Sequence, residues 1–198
     1  MSGARKSGPA TGGIRVIAGE ARGIPLRGPR GAATRPTAAR LREALFSMLD
    51  AADVDFAQVL DLYAGSGALG IEALSRSDGD ATFVESDPHA IEAIHENLAR
   101  THLQDRGRVI AARVERWHAP EGTAYTLVVA DPPYHDAAAW DAIDRAVQNA
   151  LAPDAVLVVE HEAHTAPPET LAGRPLWRDR RQGAGSVALY RLTGEGVR

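Results

Sequence analysis

The stretch Val59-Leu-Asp-Leu-Tyr-Ala-Gly-Ser-Gly-Ala-Leu-Gly70 decides the fold. Its first four residues form an apolar run that is typical of a buried strand. Gly65, Gly67 and Gly70 follow the Gly-x-Gly-x-x-Gly pattern, in which glycines allow a tight turn and a ligand close to the backbone, while the helix start presents free N–H groups. Glu85 comes about 20 residues later, at the end of the next apolar run, where a carboxylate can accept hydrogen bonds from ribose hydroxyls. The stretch therefore predicts a nucleoside-binding loop between a strand and a helix.

Around this loop, apolar runs that predict strands alternate with amphipathic segments that predict helices. The predicted strands are 59–62, 81–84, 108–111, 125–130 and 155–159, and the predicted helices are 38–49, 69–76, 88–102, 114–118 and 137–151. Thr37 is the expected N-cap of the first helix. Two last apolar runs, near Leu176 and at 187–192, have no helix between them and predict an antiparallel hairpin. The order predicts a doubly wound, Rossmann-like α/β sheet, mostly parallel, with a C-terminal antiparallel hairpin.

The composition predicts one domain with a small appendage, since 198 residues with 44% hydrophobic content suffice for one buried core. The chain has no cysteine, which excludes disulfides, thiol nucleophiles and Cys-ligated zinc. No apolar run approaches the roughly 20 residues of a membrane span, and the N-terminus lacks the apolar stretch of a signal peptide. We therefore expect a cytoplasmic protein.

The net charge of −4 conceals a strong asymmetry along the chain. Residues 1–42 carry nine basic side chains against the single acid Glu20, a local charge of +8, while the other 156 residues carry −12. A basic segment on an acidic body favours contact with a polyanion. We divide the chain into a flexible basic tail (1–12), a β-hairpin extension (13–36) and an α/β domain (37–198). The candidate phosphate contacts are Arg15, Arg22, Arg35, Thr37, Arg40 and Arg42; surface pairing of Arg40 or Arg42 with Glu43 or Asp50 is the alternative.

Asp131-Pro132-Pro133-Tyr134 follows the apolar run 125–130, at the end of a predicted buried strand. The two prolines fix φ, remove two backbone donors and leave carbonyls free to accept hydrogen bonds. The motif is thus rich in acceptors beside a flat ring, which suits the exocyclic amine of a nucleobase. A plain strand end at a surface loop is the alternative. We predict that these four residues are catalytic, with Tyr134 stacking on the base.

Asp61, at the end of the first strand, indicates which nucleoside-containing cofactor the predicted loop binds. A carboxylate there would repel the pyrophosphate of NAD but attract the ammonium of a methionine moiety, so we expect S-adenosylmethionine as the cofactor. The structural alternatives are that Asp61 caps the loop and that Glu85 is a solvated strand end. The alternative enzyme class is an NAD-linked oxidoreductase. The candidate cofactor-binding residues are Asp61, Tyr63, Ala64, Gly65, Ser66, Gly67, Gly70, Glu85, Ser86, Arg113, Val114 and Asp131, with Arg113 flanking the adenine.

Three motifs together resemble one known family. Asp61–Gly70, Asp131–Tyr134 and Thr34-Arg-Pro-Thr-x-x-x-Leu-Arg-Glu-Ala-Leu-Phe46 are similar to the bacterial 16S rRNA guanine-N2 methyltransferases of the small-subunit methyltransferase D family, which are class I enzymes. The resemblance covers about residues 14–192, nearly the whole chain. One position departs from it, because many relatives have Asp or Asn where this chain has Arg113. The backbone of Val114 is the alternative partner for the adenine amine.

The resemblance implies methyl transfer from S-adenosylmethionine to the exocyclic N2 of one guanine of 16S rRNA, in the assembled or assembling 30S subunit. Residues 37–198 would then be the methyltransferase domain and 13–36 an RNA-binding extension. We expect no metal, no membrane partner and a monomer. The alternatives are an adenine-N6 methyltransferase acting on DNA or another nucleic acid, and a non-catalytic RNA-binding assembly factor.

Two further features have structural explanations. His161-Glu-Ala-His164 does not have metalloprotease spacing, and we expect it to end a strand rather than bind a metal. Trp117, Trp140 and Trp177 are expected to pack in the core or at its edge rather than stack on bases.

Overall fold

The computed structural model describes residues 14–28, 36–133, 136, 138–183 and 185–192. The predicted tail (1–12), Arg35 and Tyr134 lie outside these residues, as does the side chain of Thr37. The helices are α1 (Pro36–Ala51), α2 (Ala68–Arg76), α3 (Pro88–Thr101) and α4 (Ala139–Val147), with a 3₁₀ turn at Val114–Arg116. The strands are β1 (Gln58–Leu62), β2 (Asp80–Glu85), β3 (Gly107–Ala111), β4 (Tyr125–Ala130), β5 (Leu151–Glu162), β6 (Thr170–Leu171), β7 (Arg174–Gln182) and β8 (Gly185–Tyr190).

The eight strands form one sheet in the order β3-β2-β1-β4-β5-β8-β7-β6. The first five are parallel, and β8, β7 and β6 add on in antiparallel fashion. This confirms the predicted doubly wound sheet with its antiparallel C-terminal hairpin. The chain moves outward from β1 to β3 and then returns to place β4 on the other side of β1. Ligands of such sheets bind at this switch point, beyond the carboxyl ends of the strands.

The core lies on both faces of the sheet, because α1, α2 and α3 pack against one face and α4 packs against the other. The central strands are therefore buried on both sides and consist of continuous apolar runs. Val59, Leu60 and Leu62 of β1 and Leu127, Val128 and Val129 of β4 are fully buried. Their burial holds the carboxyl ends of β1 and β4 rigidly beside each other.

Several predicted boundaries are wrong for identifiable reasons. Helix α4 ends at Val147 instead of 151, because Leu151 begins β5 and the Ala150 carbonyl accepts a hydrogen bond from the Tyr125 N–H of β4 at 2.8 Å. Helix α1 begins at Pro36, where proline suits the first position, so Thr37 lies in the first turn and is not the N-cap. The short helix predicted at 114–118 is a 3₁₀ turn, and the two-residue strand β6 was not predicted.

Residues 14–28, part of the predicted extension 13–36, form a hairpin with brief pairing. Arg15 and Pro25 form an antiparallel bridge, and the Leu26 N–H donates to the Ile14 carbonyl at 2.8 Å. Val16, Ala21 and Leu26 are buried in the same core as α1 and α2. The segment is thus packed into the body of the protein, while the division of the chain at residue 36 stays a prediction.

Polar side chains of α2 and α3 hold this hairpin in place. Glu72 of α2 accepts hydrogen bonds from the Ile17 and Ala18 N–H groups at 2.7 and 3.0 Å. Asn97 of α3 accepts from the Arg27 N–H at 2.7 Å and donates at 2.9 Å to the carbonyls of Arg27 and Ser66. Asn97 therefore connects the hairpin directly to the glycine loop.

In the part of the chain that the structure describes, no helix has the length and apolar character needed to cross a membrane.

Candidate active site

The loop between β1 and α2 depends on its glycines. Gly65 and Gly67 have φ values of 55° and 72°, in the left-handed region that strains residues with a Cβ atom. A Cβ on Gly67 would lie 3.3 Å from the Phe83 ring, and one on Gly70 would lie inside van der Waals contact of the same ring. The glycines therefore form the predicted tight turn and also allow α2 to approach β2 closely, which was not predicted.

Asp61 lies at the base of this loop with a relative exposure of 1%. Its Oδ2 accepts a hydrogen bond from the Gly70 N–H at 2.8 Å. Asp61 therefore bonds to the first turn of α2, as the alternative of a loop-capping residue would require. Burial raises the pKa of Asp61 well above its ordinary value, the Gly70 hydrogen bond opposes this rise, and the charges of Asp131 and Glu85 add to it. A buried carboxylate in such surroundings is stabilised by a cation placed beside it.

Glu85 ends β2 and is tied to backbone N–H groups. Its Oε2 accepts from Gly65 at 2.8 Å, and its Oε1 accepts from Ser86 at 2.6 Å and from Asp87 at 2.9 Å. These three bonds contradict the alternative of a freely solvated strand end. They fix the carboxylate beside the glycine loop.

Two adjoining cavities lie at the carboxyl edge of the sheet and share Tyr63 and Asp131. One, of about 280 Å³, contains these predicted residues: Tyr63, Glu85, Ser86, Arg113, Val114, Asp131 and Pro133. The other, of about 250 Å³, contains these: Asp61, Tyr63, Ala64, Gly65, Ser66 and Asp131, together with the unpredicted Glu160 and a set of apolar side chains. Gly67 and Gly70 shape the loop without lining either cavity. The structure thus brings together the two motifs that the sequence separates by some sixty residues.

Asp131 occupies the end of β4, one residue past the pairing of Ala130 with Leu62 and Val159. Asp131 is exposed to solvent at the open cleft and lines both cavities. Partial desolvation of its carboxyl by the cavity walls, together with the negative charge of Glu160, raises the pKa of Asp131 to about 7. Glu160 occupies the equivalent position on β5, one residue past Val159, which pairs with Ala130. The signal for it was an acid directly after the predicted strand 155–159.

Pro132 is buried and, with Pro133, lines a smaller cavity next to Trp140 and Glu160. Across the larger cavity, the Tyr63 hydroxyl donates to Glu115 at 3.1 Å, and Arg113 forms an ion pair with Glu115 at 3.5 Å. Glu115 was not predicted. It supplies a carboxylate two residues after Arg113, the position at which many relatives have Asp or Asn as a side-chain acceptor for the adenine amine.

Comparisons with known proteins agree with this geometry. The profile of the family described as "Conserved hypothetical protein 95" matches residues 14–191. The chain is 37% identical over 187 residues to the ribosomal RNA small subunit methyltransferase D of Escherichia coli, covering 94% of this chain and 93% of that protein. It is 35% identical to the putative rRNA methyltransferase YlbH of Bacillus subtilis, covering 91% and 100% of the two chains. The solved structure of the putative methyltransferase yhhF from Escherichia coli superposes with a TM-score of 0.78 at 37% identity, covering 90% and 97%.

The chain belongs to the small-subunit rRNA methyltransferase D family. It is a methyltransferase, and its α/β fold matches that of solved methyltransferases. Membership confirms the family predicted from the three motifs. The assignment of individual site residues stays a prediction.

The predicted phosphate contacts of this family member separate into two groups. Arg15, Arg22 and Arg40 are exposed, as a phosphate contact requires. Arg42 is not: it has a relative exposure of 9%, donates through Nη2 to the Arg15 carbonyl at 2.7 Å, and lines the 250 Å³ cavity. Asp50, its proposed alternative partner, pairs with Arg76 instead. Helical periodicity does not show which polar residue of α1 faces a cleft, so the sequence did not indicate this position, and the phosphate role of Arg42 stays an untested prediction.

His161 and the tryptophans behave as packing residues, while His164 is exposed. His161 lies near the end of β5, with its Nε2 3.1 Å from an Asp179 carboxylate oxygen and its ring 5.9 Å from that of Trp140. Trp140 also packs edge-on against Tyr190. The Trp177 ring lies under the guanidinium groups of Arg178 and Arg191. Within the described ranges, no three His, Asp or Glu side chains are arranged to hold a metal ion.

Proposed function

We propose that this methyltransferase, acting as a monomer in the cytoplasm, transfers a methyl group from S-adenosylmethionine to the exocyclic N2 of a guanine in 16S rRNA, within the assembled or assembling 30S subunit. Two carboxylates in one cavity carry the proposal. Asp61 and Asp131 lie at the carboxyl ends of the adjacent strands β1 and β4, both line the 250 Å³ cavity, and the charge of Asp131 helps to raise the pKa of Asp61. A cationic group and an amine donor are the ligands that such a pair would bind.

The residues present fit the cofactor. Asp61 would bind the ammonium of the methionine moiety, Glu85 the ribose hydroxyls, and Arg113 and Val114 would flank the adenine in the 280 Å³ cavity. S-adenosylmethionine supplies a methyl group on a positively charged sulfur, which needs no metal for its transfer. A dinucleotide fits less well, because its pyrophosphate would meet the buried carboxylate of Asp61.

The chemical task left to the protein is to orient a weak nucleophile. The lone pair of a guanine amine is delocalised into the ring, so it must be directed at the methyl group. The Asp131 carboxylate and the Pro132 carbonyl would accept the two N–H bonds, which turns the lone pair toward the cofactor. Holding two reactants in this way can lower the barrier by up to about 7–11 kcal/mol. Tyr134, outside the described residues, would stack on the base at about 1–3 kcal/mol.

The RNA substrate is supported by the relatives and by charge. The Escherichia coli and Bacillus subtilis relatives are named as methyltransferases of ribosomal RNA, and the former of the small subunit. In this chain, the exposed Arg15, Arg22 and Arg40 lie in the basic N-terminal part and would contact phosphates. The guanine N2 target rests on the motif resemblance.

The test is methylation of 30S subunits that lack the modification, with a tritiated methyl donor and mass-spectrometric mapping of the modified base. We expect a single N2-methylguanine in 16S rRNA. Asp131→Ala should lower turnover about 100-fold or more, the scale seen when one transition-state contact is removed, while the affinity for S-adenosylhomocysteine changes little. Asp154→Ala, an exposed carboxylate at the opposite end of β5, is the matched control and should behave as wild type. Full turnover by Asp131→Ala, or a modified adenine, would contradict the proposal.

A further inference from the structure

Arg42 is a buried cation in the cleft that the function proposed above does not use. It lies on α1 with a relative exposure of 9% and lines the 250 Å³ cavity together with Asp61, Gly65 and Ser66. Leu41 and Leu45, its neighbours on the same helix, line the cavity too. The helix therefore presents one face to the cleft, and Arg42 is the cation on that face.

Among the described residues, one hydrogen bond anchors this guanidinium and one of its buried donors has no partner. Nη2 donates to the Arg15 carbonyl at 2.7 Å, which fixes the side chain against the hairpin. Nε is buried and, among the described residues, has no hydrogen-bond partner. Burial lowers the pKa of Arg42, and the nearby charge of Glu72 counteracts this only in part. A desolvated guanidinium with an unpaired donor is stabilised by an anion placed beside it.

The other charges of the cavity indicate which anion fits. Asp61, Asp131 and Glu160 line the same space, so the charged residues of the cavity other than Arg42 are acids. A zwitterion can enter such a cavity if its ammonium faces an acid and its carboxylate faces the arginine. The amino-acid end of the methionine moiety is a zwitterion of this kind, and Asp61 already matches its ammonium.

We propose that Arg42 binds the α-carboxylate of the methionine moiety of the cofactor, as the positive partner opposite Asp61. This inference rests on the proposed function, because it assumes S-adenosylmethionine in the cleft. An RNA phosphate is the less suitable anion, since the backbone of a folded RNA stays at the surface and Arg42 lies below it. Arg42 is then a cofactor-binding residue, anchored by the hairpin through the Arg15 carbonyl.

The experiment compares two ligands that differ in the carboxylate alone. Calorimetric titration gives the Kd of S-adenosylmethionine and of its decarboxylated form, which keeps the sulfonium and the ammonium. The ratio of the two Kd values is then measured for wild type, Arg42→Met and Arg42→Lys. Because each variant is compared with itself, a general loosening of the cleft cancels. Arg100→Met, at an exposed arginine near the end of α3, is the matched control.

We expect wild type and Arg100→Met to prefer the carboxylated ligand, and Arg42→Met to lose roughly 10- to 150-fold of that preference, the range of one charge-assisted contact. Arg42→Lys, which keeps the charge without the fork, should retain part of it. An unchanged ratio in Arg42→Met overturns the inference. If the ratio is unchanged and the variant also loses affinity for 30S subunits, Arg42 contacts an RNA phosphate instead. If wild type binds neither ligand, the proposed function fails together with the inference. If wild type binds and methylates but the ratio in Arg42→Met is unchanged, only the inference fails.

Discussion

Replacing Glu72 by glutamine should release the hairpin from the body of the protein. Glu72 has a relative exposure of 1%, and its two oxygens are surrounded by donors. Oε2 accepts from the Ile17 N–H at 2.7 Å, while Oε1 accepts from the Ala18 N–H at 3.0 Å and from Arg76 Nε at 2.8 Å. A glutamine amide has one oxygen and one NH₂ group. Whichever way it is turned, its NH₂ faces a donor.

The cost follows from these contacts. One buried donor left without an acceptor costs about 1–3 kcal/mol, and exchanging the charge-assisted hydrogen bond with Arg76 for a neutral one adds about 1 kcal/mol. The second term is small because Arg76 keeps its pairing with Asp50. The free energy of unfolding should therefore fall by about 2–4 kcal/mol, and since a chain of this size loses about 2–4 °C per kcal/mol, the Tm should fall by roughly 4–16 °C.

The assay is calorimetric unfolding combined with hydrogen exchange of the Ile17 and Ala18 amides. Glu121→Gln, at an exposed turn, is the matched control and should stay within about 0.5 kcal/mol of wild type. In Glu72→Gln the two amides should lose protection before the central strands do. A Tm within about 2 °C of wild type, with both amides still protected, would refute the conclusion that Glu72 holds the hairpin.

Three further outcomes are expected. Asp61→Asn removes a carboxylate whose folded pKa lies above its unfolded value and whose charge therefore destabilises the fold at neutral pH, so the Tm at pH 8 should be unchanged or higher. In calorimetric titration, the affinity for S-adenosylmethionine should fall roughly 10-fold or more. Equal affinity would contradict the role of Asp61. Gly70→Ala drives a Cβ into the Phe83 ring, so the Tm should fall by several degrees, and an unperturbed crystal structure at wild-type stability would count against that contact. Because the pKa of Asp131 is raised to about 7 and its ionised form must accept the amine, kcat/KM should fall as the pH drops through that value. Glu160→Gln removes a neighbouring negative charge and should move this fall to lower pH. A pH profile that does not move rules out the electrostatic effect of Glu160 on Asp131.

Local pattern was sufficient wherever one segment decides its own structure. Strand β4 spans Tyr125–Ala130 as predicted, because a short β-branched and apolar run ends at two prolines that cannot continue a ladder. The glycine loop was predicted for the same reason, since its left-handed φ values depend on residues within the loop. Family membership also followed from sequence, through three motifs that the comparisons bear out.

Pairing between distant segments decided the rest. The apolar pattern of α4 continues past Val147, yet the Tyr125–Ala150 hydrogen bond commits the chain to β5, because a ladder bond with β4 replaces the last helical turn. The pairing of β4 with β5 also brings Glu160 beside Asp131.

The sequence by itself determined the order of strands and helices, the glycine loop and the acids at the strand ends, because period, turn chemistry and charge are properties of neighbouring residues. Only the tertiary structure decided that Arg42 faces the cleft instead of the solvent, and that the hairpin is buried against α2 and α3. Burial is set by which elements pack together, and this depends on contacts between residues far apart in the chain.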